Sequence, residues 1–289
     1  MSFDSRRDFA PYLRDLQERV CAALERVDGT PFREERWERP GGGGGRSRLV
    51  EEGPVLERGG VNFSEVHGEL PEKLAATLPG SGRAFYAAGL SLVLHPRNPR
   101  APTVHANYRC FQKGEALWFG GGADLTPAYL FEEDARHFHR TLRDACGERY
   151  ADFKRACDDY FFIRHRGERR GVGGIFFDYL QGDRDALFDL VRRCAEAFLP
   201  SYLPVLERRK DAPFGERERS WQLLRRGRYV EFNLVYDRGT LFGLETGGRI
   251  ESVLMSLPPL ARWSSAAEPS PGGEEAKLLD VLRNPKEWA

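Results

Sequence analysis

No stretch of this 289-residue chain approaches the run of about eighteen apolar residues that a membrane span needs. Its opening residues, MSFDSRRDFAPYLRDLQERV, mix acids with bases and hold no apolar run, so neither a secretory signal nor a typical organelle presequence is expected. The expected location is cytoplasmic, with no integral membrane segment. Net charge is missing too: 44 Lys plus Arg balance 44 Asp plus Glu, so no global field recruits nucleic acid or an anionic membrane. The five cysteines, Cys21, Cys110, Cys146, Cys157 and Cys194, are odd in number, widely spaced and without a CxxC pair. That argues against a disulfide framework and suits free thiols in a reducing compartment. No GxGxxG follows a strand-like run and no Gly-rich loop ends in GK[ST], so nothing points to a nicotinamide, a flavin or a P-loop nucleotide. No organic cofactor is expected.

What is present gathers in residues 91–127. Read with period two, Ser91, Val93 and His95 share one face of a strand, with Leu92 and Leu94 on the other. In the next run His105, Asn107 and Arg109 alternate with Val104, Ala106 and Tyr108. If the two runs pair antiparallel through HPRNPRAP, both polar rows share one sheet face, a floor of hydroxyl, imidazole, amide and guanidinium groups. A third apolar run, 116–119, leads into Gly120, Gly121 and Gly122, where the backbone is free to turn sharply and approach a ligand, and Asp124 follows at the rim. Asp124 is also an ordinary turn or N-cap residue before helical sequence, and both roles stay open. Arg109 and Arg249 suit carboxylates, because a guanidinium offers two charge-assisted hydrogen bonds in fixed geometry, and Gly247-Gly248 before Arg249 expose backbone N–H groups. His137 and His139 lie about 200° apart around a helix, which leaves His139 as the inward one. His95, His105, His139 and His165 have no compact metal-ligand spacing.

The rest of the chain gives an amphipathic helix over 8–27 and strands over 47–56, 61–66 and 84–94. Helices follow at about 132–146, 150–165 and 184–209, interrupted by the apolar run 174–180. A helix over 216–226 then leads into strands near 229–236 and 250–255. Strands come in runs and helices in runs, which predicts an α+β fold with a mostly antiparallel sheet, in one domain spanning 1–289. The glycine run 41–45 and the segment 266–273 read as flexible connectors. Within the first, GGGGGRSR has a second reading, an anion cradle built on backbone N–H groups with Arg46 and Arg48.

The segments GLSLVLHPRNPRAPTVHANYR, WFGGGADLTP, FFIRHRGERRGVGGIFFD and RGRYVEFNLVYDRGTLFGLETGGRIESVLMSLPPLARW resemble the oxygen-dependent coproporphyrinogen III oxidase family. The likeness runs from about residue 37 to the closing NPKEW, leaving the first thirty or so residues outside it. It implies a large, flat antiparallel sheet covered by helices, and a tetrapyrrole substrate, coproporphyrinogen III, whose propionates are oxidatively decarboxylated with O2 as co-substrate. By the same resemblance Ser91, Asn107, Tyr108, Arg109, Gly247, Gly248 and Arg249 contact substrate, and Asp124 faces the pyrrole nitrogens. His105 is the expected acid or base, with Arg109 fixing the reacting propionate. Bacterial relatives further imply a divalent metal at His95, His105, His139 and His165, and residues 229–263 match a homodimer-forming region. Two rival classes stay in view. One is a mononuclear metal oxygenase of another substrate; the other is an RNA-binding sheet protein, suggested by RRGRYVEF on an apparent strand.

Overall fold

The computed structural model describes residues 3–245, 249–265 and 269–289. Helix α1 (Ala10–Asp28) precedes a seven-stranded antiparallel sheet, built from β1 (Arg33–Glu38), β2 (Gly43–Glu51), β3 (Leu56–Glu69), β4 (Ala84–Pro96), β5 (Thr103–Lys113), β6 (Ala116–Thr126) and, after two helices, β7 (Gly173–Leu180). Strand order follows chain order throughout, so neighbouring strands are joined by local connections until the last. The fold is α+β, as the clustering of strands predicts.

Pairing register decides what the two faces carry. Ser91 stands opposite Asn107 and Val93 opposite His105, and on the next strand His105 faces Asp124 and Arg109 faces Gly120. The two polar rows therefore lie on one face, as their alternation predicts. The other face presents Leu90, Leu92, Leu94, Val104, Ala106, Tyr108 and Leu125, all buried in the main core. Phe9, just before α1, and Leu13, Leu16, Val20 and Leu24 within it belong to the same core, because i, i+3, i+4 spacing gives one continuous apolar stripe. Burying a side chain of this size is worth about 1.5–3 kcal/mol.

Among the described residues the helices are α2 (Glu132–Cys146), α3 (Tyr150–Tyr160), α4 (Arg184–Glu196), α5 (Phe198–Arg209), α6 (Glu216–Val235), α7 (Arg238–Glu245) and α8 (Glu274–Arg283), besides shorter turns. None is long and apolar enough to cross a membrane. Several expectations are corrected here. The helix expected over 184–209 is two, because Pro200, in the first turn of α5, supplies no N–H to continue the earlier hydrogen-bond ladder. The strand expected near 229–236 is the second half of α6, where Gln222, Arg225, Arg226, Tyr229, Phe232 and Asn233 recur on one buried face at helical spacing. The strand expected near 250–255 is a short helix, Ile250–Val253, followed by a 3-10 turn, Leu254–Ser256.

The glycine run is corrected as well. Gly43, Gly44 and Gly45 open β2 as paired strand residues. A Cβ on Gly45 would lie 2.3 Å from the Trp37 ring, so the tryptophan of β1 fills the space that a side chain would take.

Candidate active site

The floor is built from β3 to β7. Three residues of β6, Gly120, Gly122 and Asp124, face the same way as Arg109, Asn107 and His105 of β5. Glycines at 120–122 do not turn the chain, contrary to expectation; they sit mid-strand. Their use is room: a Cβ on Gly120 would stand 2.7 Å from both Arg109 Nε and Asp178 Oδ1. The bare backbone lets the Arg109 guanidinium lie across β6 and reach Asp178 on β7, at 2.9 Å. Arg109 Nη1 also donates to Asn107 Oδ1 at 2.8 Å. With about a third of its side chain exposed, Arg109 remains open to an anion from above.

Asp124 is neither a turn residue nor at a rim. It lies inside β6, 1% exposed, and both carboxylate oxygens are taken. Arg170 Nε donates to Oδ2 at 3.0 Å and Arg170 Nη2 to Oδ1 at 2.7 Å, a two-point pair, while His105 Nδ1 meets Oδ1 at 2.8 Å. Burial pushes the Asp124 carboxyl up, but the Arg170 charge and the His105 hydrogen bond together outweigh it and hold the group below the usual carboxylate range. Ionised Asp124 accepts, so Nδ1 carries a proton and Nε2 is the nitrogen turned to the floor. Among the described residues Nε2 has no hydrogen-bond partner, and the His105 side chain is 22% exposed. The result is an arginine–carboxylate–imidazole series whose last member faces the open floor.

Arg170 is the functional residue that the sequence reading missed. It is buried, its guanidinium lies 3.9 Å from the Phe161 ring centroid and 4.8 and 4.9 Å from those of Tyr229 and Phe232, and Nη1 donates to Asn233 Oδ1 at 3.3 Å. The aromatic cage excludes water and fixes the fork in the plane of the carboxylate. Asp178 was missed too, though its period-two alternation with Gly174 and Phe176 places it on the floor.

The remaining candidates scatter. Ser91 is on the floor, half-buried, opposite Asn62 and Asn107. Tyr108 is not: its side chain points into the core and its hydroxyl donates to the Cys194 carbonyl at 3.0 Å, as strand alternation dictates for a residue between Asn107 and Arg109. Arg249 pairs with Glu35 at 2.5 Å over the β1 end of the floor. Nearby, Met255 packs onto Gly60 and Ser252 reaches Ser47. Gly247 and Gly248 lie outside the described residues.

The four histidines do not converge. His95 is buried between the Thr103 hydroxyl at 3.3 Å and the Ser256 carbonyl at 2.8 Å, and burial with the nearby Arg226 charge pushes its pKa down to about 3. His139 joins the Tyr150 hydroxyl at 2.8 Å and the Val172 carbonyl at 3.1 Å, and burial brings it down to about 3 as well. His165 joins the Tyr236 hydroxyl and Glu231, each at 2.7 Å. Among the described residues only His105 of these four keeps a nitrogen unpartnered, and the Arg170 guanidinium already occupies the cationic place beside its carboxylate. These side chains do not fit a shared metal, and no group of three His, Cys, Asp or Glu side chains among the described residues does so. The four histidines of the expected metal set stand in four separate hydrogen-bonding places.

A sheet floor with a buried carboxylate joined to a partly exposed imidazole, and a partly exposed guanidinium beside them, is the kind of arrangement found in α+β enzymes. The chain belongs to the coproporphyrinogen III oxidase family, which it matches over residues 8–288. It is 52% identical over 305 aligned residues to the oxygen-dependent coproporphyrinogen-III oxidase, chloroplastic, of Glycine max, covering 98% of this chain and 79% of that protein. Over 320 aligned residues it is 50% identical to the oxygen-dependent coproporphyrinogen-III oxidase of Prochlorococcus marinus, covering 99% of this chain and 93% of that protein. The family match takes in α1, which corrects the expectation that the first thirty residues stand outside it.

Proposed function

We propose that this chain converts two propionate groups of coproporphyrinogen III to vinyl groups, giving protoporphyrinogen IX, with O2 as co-substrate. The observation that carries the reading is the Arg170–Asp124–His105 series set on the same face as Arg109. Each cycle turns one propionic acid and one O2 into a vinyl group, CO2 and hydrogen peroxide, so the substrate supplies the electrons and the protein supplies position and proton handling. His105 Nε2 takes a pyrrole N–H proton, which makes the electron-rich ring easier for O2 to attack. Asp124, held ionised by Arg170, fixes the tautomer and stabilises the imidazolium that forms. Arg109 grips the reacting propionate, and Asn107 and Ser91 line its path. Arg249 suits a second propionate toward the β1 end. Such proton transfer is worth about 10²–10⁴ in rate, and orientation adds to it.

Replacing Arg109 by Ala removes a charge-assisted hydrogen bond worth about 1.5–3 kcal/mol, so kcat/KM should fall about 10- to 100-fold with little loss of stability. Near-normal kinetics in that variant would remove Arg109 from the reaction. The reading as a whole is tested by anaerobic incubation with coproporphyrinogen III, followed by admission of oxygen with and without a chelator. Protoporphyrin formed only after oxygen enters supports it, and its loss with the chelator would restore a metal to the mechanism.

The RNA-binding alternative loses its support, because RRGRYVEF is helical, with Arg225 paired to Glu168 and Arg226 to Glu57 in buried ion pairs and Tyr229 and Phe232 inside. The pairing of two chains through residues 229–263 is supported by Leu234, Val235, Leu244, Ile250, Leu260 and Trp263, large apolar side chains 44–59% exposed in one stretch. Sedimentation as a monomer at micromolar concentration would count against it. Five free, buried thiols accord with a reducing, cytoplasmic setting.

A further inference from the structure

We propose that a second groove, on the opposite sheet face from Arg109 and His105, binds a multiply charged oxyanion, either a phosphate ester or a polycarboxylate. Its volume is about 440 Å³, within the roughly 300–1,000 Å³ of small-molecule sites, and Arg6, Arg14, Arg36, Arg46, Glu65 and His67 line it. Register sets it apart from the floor. Arg46 stands between Arg36 and Phe63 across the strands, whereas the next residue, Ser47, stands opposite Asn62, itself opposite Ser91. Successive strand residues point to opposite faces, so Arg46 and Ser91 look away from each other.

Four guanidinia from the N-terminal turn, α1, β1 and β2 meet here. The one lining carboxylate, Glu65, is already committed, to an ion pair with Arg14 and to the Tyr86 hydroxyl at 3.1 Å. Arg46 is fixed by Gln17 at 2.7 Å and Glu18 at 2.6 Å, yet its Nη2, buried, has no hydrogen-bond partner among the described residues. Arg6 is held over the Tyr86 ring at 4.7 Å and makes no ion pair among the described residues. Arg36 leans on Glu34 through Nε at 2.7 Å. The balance stays positive after Glu65, Glu18 and Glu34 are counted, and ion pairs and the ring hold the forks in place before a ligand arrives, which lowers the ordering cost of binding. The guanidinium fork matches phosphate and carboxylate oxygens two at a time, and a groove with several such forks fits a ligand with at least two negative groups. Gly44, opposite Glu65 on the same face as Arg46, adds no side chain to the groove, so part of the GGGGGRSR run borders the cavity.

Calorimetric titration of the full chain with inorganic pyrophosphate and, separately, citrate reads binding without turnover. We expect one ligand per chain, weakened at least about tenfold by Arg6→Gln/Arg36→Gln, two exposed side chains whose loss spares the fold, and by Arg46→Gln. Arg136→Gln/Arg192→Gln, an equal charge change on α2 and α4, should leave affinity unchanged, as should Arg109→Ala. Preference for pyrophosphate or for citrate tells the phosphate class from the carboxylate class. Absence of binding, affinity unaltered by the groove variants, an equal effect of the control pair, or loss in Arg109→Ala would each overturn the proposal.

Discussion

Asp124→Asn should lower turnover by about 10²–10⁴-fold while leaving KM within a few fold, the span that a positioned acid–base group contributes. Both Asp124 oxygens are engaged, one by Arg170 alone and one by Arg170 and His105. The side chain has no free edge for substrate, so its effect runs through the imidazole. An amide in its place keeps the shape but presents a neutral dipole, and if its NH₂ turns to His105, Nδ1 becomes the acceptor and the proton moves to Nε2. The base then faces the substrate in the wrong tautomer. On the proposed reading substrate grip falls to Arg109 and its neighbours, which is why KM should hold. Steady-state kinetics with coproporphyrinogen III checks this. A rise in KM at unchanged kcat would make Asp124 a binding residue and break the proton-handling account.

How much of this was legible in the chain depended on whether a feature was local. The strict alternation of Ser91, Val93, His95 and of His105, Asn107, Arg109 announced two strands and a common face, because period two needs only neighbours in sequence. Arg170 was illegible as a partner of Asp124: it lies 46 residues away, beyond two helices, and nothing about an arginine in HRGERRG says that it is buried. Helix α6 shows a second kind of blindness. Val230, Phe232, Leu234 and Tyr236 alternate and suggest a strand, yet Leu234 is 44% exposed while Phe232 is fully buried. Much of the true inward stripe is polar, with Gln222, Arg225, Arg226 and Asn233 paired or hydrogen-bonded inside, and a periodicity counted on apolar residues passes over it. The glycines of β2 were read as mobile for want of their neighbour, since the Trp37 ring that requires Gly45 is visible only across the β1–β2 register. The histidines erred the other way. The resemblance placed four of them at one site, whereas His95, His139 and His165 each have both ring nitrogens partnered locally and His105 keeps one toward the floor.

Arg170→Met should cost about 3–5 kcal/mol of stability at neutral pH, the usual penalty for removing one partner of a buried ion pair. Methionine fills much of the space between Phe161, Tyr229 and Phe232, so the loss is electrostatic more than steric. It leaves Asp124 buried with His105 as its remaining partner. In the native chain the Asp124 carboxyl is held below its ordinary value, so its contribution is full above the unfolded pKa and fades as acid takes the pH down through the folded one. Without Arg170 burial is no longer outweighed and the folded pKa rises above the unfolded value, which reverses the sign: the penalty is small in acid, where both states are protonated, and grows as pH climbs toward neutrality. Urea unfolding at pH 7 and pH 5 should therefore show the gap between the two proteins narrowing at the lower pH, and the acid limb of the kcat profile should move upward. Adding Asp124→Leu to the Met variant should return part of the lost stability, because a buried charge without a partner costs more than no charge at all. It should return no activity. A stability gap that stays constant with pH, or a double variant weaker than the single by the full cost of a second lesion, would mean that Arg170 serves packing alone and that the ionised state of Asp124 has another origin.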